Sequence, residues 1–281
     1  MADMTVPGPR HRPRQVDRQR AISELVMAEG AVRIEQLAER FGTSLMTIHR
    51  DLDELESQGL LHKSRGVASA FSSSLVESSE IYRAGQQLSE KRSLAQAAME
   101  FIEPGQSIFL DDSTTVLQMA TLLPKKAPLT VITNVLTLMN ELHGVRGISL
   151  IALGGNYYGW CNAFMGRVTN ETIKKLHADL SIMSTAAITD DRCFHQTPET
   201  TDTKRAMFES STTRILLADH TKFEKRALHA LAHLTEYDVV IVDAQTRKAD
   251  IARLKSQGIR VVVAPAQSHG PTSHESRGKG A

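Results

Sequence analysis

Seven short apolar runs, at Ser107–Leu110, Leu129–Ile132, Ile148–Ala152, Leu180–Met183, Ile215–Ala218, Val239–Val242 and Val261–Val263, are separated by helical segments. No other feature constrains the fold as much. Continuous apolar runs of strand length suit strands buried on both faces, as in a parallel sheet covered by helices. A helix over 80–102 (Ile81, Leu88, Leu94, Ala95, Ala98, Ile102), stopped by Pro104-Gly105, leads into the first run. The expectation is an α/β layer with a mostly parallel sheet. Ligands of such sheets sit beyond the carboxyl ends of the strands, so the loops after the strands carry the chemistry.

Those loops favour an anion. The first run is followed by Asp111-Asp112-Ser113-Thr114-Thr115, after which Val116, Leu117 and Ala120 pattern a helix. A hydroxyl-rich turn opening onto a helix N-terminus offers N–H groups, hydroxyls and the positive end of the dipole to phosphate. The same residues also suit plain helix capping by Asp112, Ser113 or Thr114. The second run ends in Thr133-Asn134 and the third in Gly154-Gly155, where paired glycines allow close backbone approach. The fifth ends in Asp219-His220-Thr221-Lys222, a carboxylate for hydroxyls and an ammonium for an anion. Tyr157, Tyr158 and Trp160 either stack on a ligand or pack an interface. His229 with His233 at helical spacing, and Cys193 with His195, lack an evident third ligand, so neither a metal nor another cofactor is expected.

Upstream, Leu45, Ile48, Leu52 and Leu55 recur at helical spacing and predict a helix with one narrow apolar stripe. Thr43 and Ser44 stand where its N-cap is wanted, and Gly42 suits the end of an earlier helix patterned by Ile34, Leu37 and Phe41. Ile22, Leu25 and Val26 pattern a first helix closing at Gly30. Helix, tight Gly-containing turn, helix is the order that lays a second helix in the DNA major groove. Met46, Thr47, His49 and Arg50 lie off the stripe near that helix's N-terminus, free to face bases and phosphates. Gly59 to Val67 reads as a hairpin wing with Lys63 and Arg65 near its tip. Arg18, at the end of an arm containing Arg10, Arg12 and Arg14, is a further candidate for the phosphates.

The chain as a whole has a formal charge of +1 over 281 residues, so it has no global pull on nucleic acid. That length allows about two domains. The expected boundaries are a basic disordered arm over 1–15, a DNA-binding unit over 16–70, a Ser-rich linker over 71–80, an α/β sensor over 81–265 and a disordered tail over 266–281. Two cysteines make no disulfide framework, and no run approaches a membrane span of roughly 18 apolar residues, so the cytoplasm is the expected compartment.

Taken together, Thr47-Ile48-His49-Arg50-Asp51-Leu52 with Leu55, Gly59 and the basic hairpin at Gly66 resembles the winged helix-turn-helix of DeoR-type bacterial transcription regulators. Arg83 with Lys91, the Asp111–Thr115 turn, Thr133-Asn134, Gly154-Gly155, Lys204-Arg205-Ala206-Met207 and Asp219 to Lys222 follow that family's sensor landmarks in order. The resemblance spans roughly residues 16–245. It implies a sensor similar to the phosphosugar isomerase and CoA-transferase-like fold, and a cytoplasmic repressor of a sugar or carbohydrate operon. It further implies a homo-oligomer, dimer or tetramer, on a double-stranded operator, controlled by a phosphorylated sugar or related metabolite, with no membrane partner.

The implied DNA contacts are Arg18, Ser44, Met46, Thr47, His49, Arg50, Lys63 and Arg65; the implied effector contacts are Asp111, Ser113, Thr114, Thr115, Thr133, Asn134, Gly154, Gly155, Lys204, Asp219 and Lys222. Three departures stand out. His49 replaces the first of two arginines, which alters base preference or makes a contact sensitive to protonation near pH 6.5. One of the wing's two glycines is lost. Ser113 stands where the family favours glycine, which strains the turn if that position needs positive φ. The rival reading is a sugar-phosphate isomerase-like enzyme with Asp111, Asp219 and Lys222 shuttling protons.

Overall fold

A computed structural model describes residues 15–57, 60–70 and 80–266. The arm up to Arg14, Gln58 and Gly59, the stretch 71–79 and the tail from 267 lie outside the described residues.

The N-terminal unit runs α1 (Gln15–Glu29), β1 (Ala31–Arg33), α2 (Ile34–Arg40), α3 (Leu45–Ser57), β2 (Leu61–Ser64) and β3 (Val67–Ala70). Ile22, Val26, Ile34, Leu37, Ile48, Leu52 and Leu55 close one core beneath the wing residues Leu60, Leu61 and Ala68. Gly42 ends α2 at φ +59, donating to the Glu39 carbonyl while Thr43 donates to Ala38, the paired bonds that stop a helix and turn the chain. Across the wing Ser64 pairs with Val67, and the two residues between them, Arg65 and Gly66, both take positive φ. That is the two-residue turn whose twist matches a hairpin, and Val67, which stands where the second glycine is lost, is the first residue of β3. Strand β1, unmarked by any sequence signal, adds to the wing in the order β1-β3-β2.

One expectation fails here. Leu45 belongs to the stripe by spacing, yet it is 47% exposed while Ile48, Leu52 and Leu55 are fully buried. The three-helix core closes one turn short of the start of α3.

All seven apolar runs are strands of one parallel sheet: β4 (Ser107–Leu110), β5 (Leu129–Thr133), β6 (Ile148–Ala152), β9 (Ala178–Ser184), β12 (Ser211–Ala218), β14 (Val239–Val242) and β15 (Val261–Val263). Their order is β15-β14-β12-β9-β4-β5-β6. The runs are continuous because successive residues feed different cores. Ile108, Leu110, Ile215, Leu217, Val239 and Ile241 pack on one face; Phe109, Leu216, Ala218, Val240 and Val242 pack on the other. The strand order reverses between β4 and β9, which opens a crevice beyond their carboxyl ends.

The helix expected over 80–102 is broken. Segments Glu80–Gly85 and Leu88–Ala98 are separated at Gln87, which takes φ +51, and a short 3-10 turn covers Met99–Phe101. The break lets the Lys91 ammonium donate to the Arg83 carbonyl. Two small antiparallel units also lacked a sequence signal: the hairpin β7 (Asn156–Tyr158) with β8 (Ala163–Met165), and the sheet β10 (Ala187–Thr189), β11 (Arg192–His195), β13 (His229–His233). His229 and His233 therefore stand on a strand, not on a helix, and His233 caps the turn Leu234–Glu236.

Candidate functional site

Helix α3 starts at an N-cap in which the Ser44 hydroxyl accepts from the Thr47 N–H at 3.2 Å and pairs with the Thr47 hydroxyl at 2.9 Å. Ser44, Met46 and Arg50 are exposed and Thr47 and His49 half-buried, all near the end that enters a groove in helix-turn-helix proteins. Arg65 is exposed at the wing tip. Two expected contacts are committed elsewhere. Arg18 donates through Nε to Asp51 Oδ2 at 2.6 Å and through Nη2 to Oδ1 at 3.2 Å, so its fork braces α1 against α3. Asp51 is buried and needs that partner. The Lys63 ammonium pairs with Asp53 of α3, tying the wing to the helix.

At the switch between β4 and β9 lies a cleft of about 50 Å³, open to solvent at its mouth. Ser113, Thr114 and Thr115 line it after β4, Ser184, Thr185 and Ala186 at the end of β9 and just beyond it, and Lys222 and Lys225 after β12. Lys204 enters from the helix Pro198–Glu209, with Arg83 and Lys91 from the two segments on either side of the Gln87 break. Trp160, His195, Gln196 and Thr200 add to the wall.

The cleft carries an excess of positive charge, partly offset by Asp111, Asp112 and Asp219 within 4 Å of its cations. Among the described residues, Arg83, Lys91, Lys204, Lys222 and Lys225 line it against a single lining carboxylate, Asp112. Lys204 sits 2.7 Å from Asp111 Oδ2 and 3.2 Å from Asp112 Oδ1. Burial works against its charge, but the two carboxylates outweigh that and raise its pKa. Lys222 lies 3.7 Å from Asp219, and burial with Lys225 and Arg83 nevertheless pushes its pKa down. Lys91 is lowered to about 7 by burial and by Lys222 and Arg83, against the raising effect of Asp219. Burial, then Lys204, Arg83 and Lys222, hold His195 neutral, and its Nε2 is buried without a partner among the described residues.

Several expected effector contacts face elsewhere. Asp111 lies behind Lys204, accepting from the Ser113 N–H at 3.0 Å and the Ser184 N–H at 2.9 Å as well as from the ammonium, so it knits strand ends together. Thr133 donates to the Leu110 carbonyl and accepts from the Val135 N–H, and Asn134 donates to the Phe164 carbonyl. The glycine pair serves packing. The Gly154 carbonyl accepts from Thr169, and a Cβ on Gly155 would stand 2.0 Å from the Thr169 hydroxyl. Asp219 caps the turn His220–Phe223 and steadies Lys222 from outside the cleft. Ser113 takes φ −83 and caps the following turn by accepting from Val116, so it is not strained.

Ser184, Thr185, Ala186, His195, Gln196, Thr200 and Lys225 are lining residues that sequence reasoning did not bring to the site, whereas Arg83 and Lys91 stand among the sensor landmarks, Asp112 in the turn after the first run and Trp160 as a stacking candidate. The carboxyl-end rule, applied to the fourth run as to the others, finds Ser184 and Thr185; no sequence signal points to Lys225.

A winged helix-turn-helix together with a parallel α/β unit holding a cationic cleft defines the class of DNA-binding transcription regulators. The family model for the DeoR-like helix-turn-helix domain matches residues 18–74, and that for the DeoR C terminal sensor domain matches residues 86–244. The chain belongs to the DeoR family. It is 34% identical over 233 residues, 82% of this chain and 90% of the relative, to the transcriptional repressor AccR of Agrobacterium fabrum. It is 32% identical over 236 residues, 82% of this chain and 92% of the relative, to the glycerol-3-phosphate regulon repressor of Escherichia coli. Among solved structures, ribose 5-phosphate isomerase A from Methanocaldococcus jannaschii aligns with a TM-score of 0.35 at 13% identity, over 47% of this chain and 53% of that one. Among the described residues, no helix is long and apolar enough to cross a membrane.

Proposed function

We propose that this regulator represses a carbohydrate operon and is controlled by a small phosphorylated sugar or polyol held in the cleft between β4 and β9. The observation that carries this reading is the charge of the cleft: among the described residues, five cationic side chains against one lining carboxylate, interleaved with hydroxyls. An anion there satisfies Lys91, Lys222 and Lys225, while Lys204 stays locked to Asp111 and Asp112 as a fixed positive wall. Ser113, Thr114 and Thr115 supply hydroxyl donors, and Trp160 supplies an aromatic face for the sugar. On the DNA side, Ser44, Met46, Thr47, His49, Arg50 and Arg65 approach the operator, and a homo-oligomer in the cytoplasm reads its repeats. The names of relatives that act as repressors support this direction of control.

Calorimetric titration of the full chain with sugar and polyol phosphates, alongside their unphosphorylated parents, tests the effector class. Binding of phosphorylated compounds alone is expected. Thr115→Ala should then weaken them about ten- to a hundredfold, the worth of one hydrogen bond to a charged group. Equal affinity for the parent sugars would overturn the reading.

A further inference from the structure

We infer that Leu45 and Met46 read thymine methyl groups, so that the operator carries A·T pairs where the first turn of α3 meets the major groove. The inference rests on the reading of α3 as the groove helix. Leu45 and Met46 are large apolar side chains, 47% and 66% exposed, side by side in the first turn. Neither is needed by the core, which Ile48, Leu52 and Leu55 close without them. They continue the same helix end as Ser44, Thr47, His49 and Arg50, so the patch is part of a surface already directed at DNA.

The chemistry of the groove selects the partner. Along the major-groove edges, N7, O6, O4 and the exocyclic amines are polar, and the C5 methyl of thymine is the apolar group. Leucine has no hydrogen-bonding group, and the methionine sulfur is at best a weak acceptor. Covering a methyl removes apolar surface from water on both partners. Covering a guanine or cytosine edge instead would leave polar groups without water or a replacement bond. Every base pair presents polar edges there, so the pair discriminates in favour of thymine through the apolar contact that its methyl supplies.

The test uses the full chain and begins with a random pool of duplexes. Those that the protein enriches are resynthesised with deoxyuridine at each thymine in turn, which removes the methyl alone. At the contacted positions each replacement should weaken wild-type binding about fourfold, the transfer value of one methyl group. Leu45→Gln and Met46→Gln should bind the thymine and uracil duplexes alike. The proposal is overturned if uracil is tolerated by the wild type at every position, or if both variants keep the full sensitivity. It is also overturned if the variants bind all sequences equally weakly and change the oligomeric mass, which would make the patch a contact between copies of the chain. Failure of the underlying groove-helix reading shows differently, as an absence of any enriched sequence.

Discussion

Replacing Arg18 by alanine separates two roles for the same residue. The structure makes Arg18 a brace: its fork meets both oxygens of Asp51 at 2.6 and 3.2 Å, and Asp51 is 1% exposed. Truncation leaves a buried carboxylate to which the Gln19 amide still donates at 3.4 Å. Breaking a buried pair from one side costs about 3–5 kcal/mol, and the surviving amide places this case near the lower figure. For a unit of this size that lowers the midpoint of unfolding by roughly 12–24 °C. Differential scanning calorimetry of the full chain should show the loss in the transition of the N-terminal unit. The double variant Arg18→Met with Asp51→Leu, which removes both charges, should recover most of it, giving a coupling energy of about 2 kcal/mol or more. If Arg18→Ala leaves the midpoint unchanged and lowers the salt slope of operator binding by about one, Arg18 is a phosphate contact and the brace is wrong.

Arg50→Ala should leave the fold intact, since Arg50 is exposed, and cost about 1–3 kcal/mol at one base position or one unit of salt slope; wild-type gel-shift affinity would refute its place at the groove. The cleft should bind sulfate, a dianion across the neutral range, with pH dependence set by Lys91. Its folded pKa of about 7 lies below the ordinary 10.5, so the fold favours the neutral amine and a bound anion draws a proton back. Sulfate affinity should therefore fall by up to about tenfold per pH unit above pH 7, and Lys91→Met should flatten the profile. By the same sign, the stability penalty of charging Lys91 is fully present below pH 7 and is relieved as pH rises toward 10.5. Gly155→Ala should lower thermal stability, because the added Cβ meets Thr169 at 2.0 Å and the Met165 carbonyl at 2.9 Å, at a cost of about 1–3 kcal/mol or more. Effector affinity per folded molecule should stay unchanged, and a selective loss of affinity would return Gly155 to the site.

All seven sheet strands are legible in the sequence because burial on both faces of a parallel sheet leaves apolar residues in unbroken runs. The helix-turn-helix is legible because its caps and stripe are local: Gly42, Ser44, Ile48, Leu52 and Leu55 act within a few residues of one another. The strand order is not local, and it selects the site. Asp111, Thr133, Gly154 and Asp219 all stand at or just after strand ends, but the crevice opens where β4 meets β9, so Thr133 and Gly154 pack beside it, and from the segment after β6 Trp160 reaches it. Arg83 and Lys91 join the cleft through a helix break at Gln87, and Lys225 through a loop after β12. Leu45 shows the same limit on the DNA side. Its spacing assigns it to the core, and the packing of three helices against the wing fills that core before its turn is reached, leaving it exposed. Periodicity records which residues share a face; which faces meet, and where they stop meeting, depends on contacts between segments far apart in the chain.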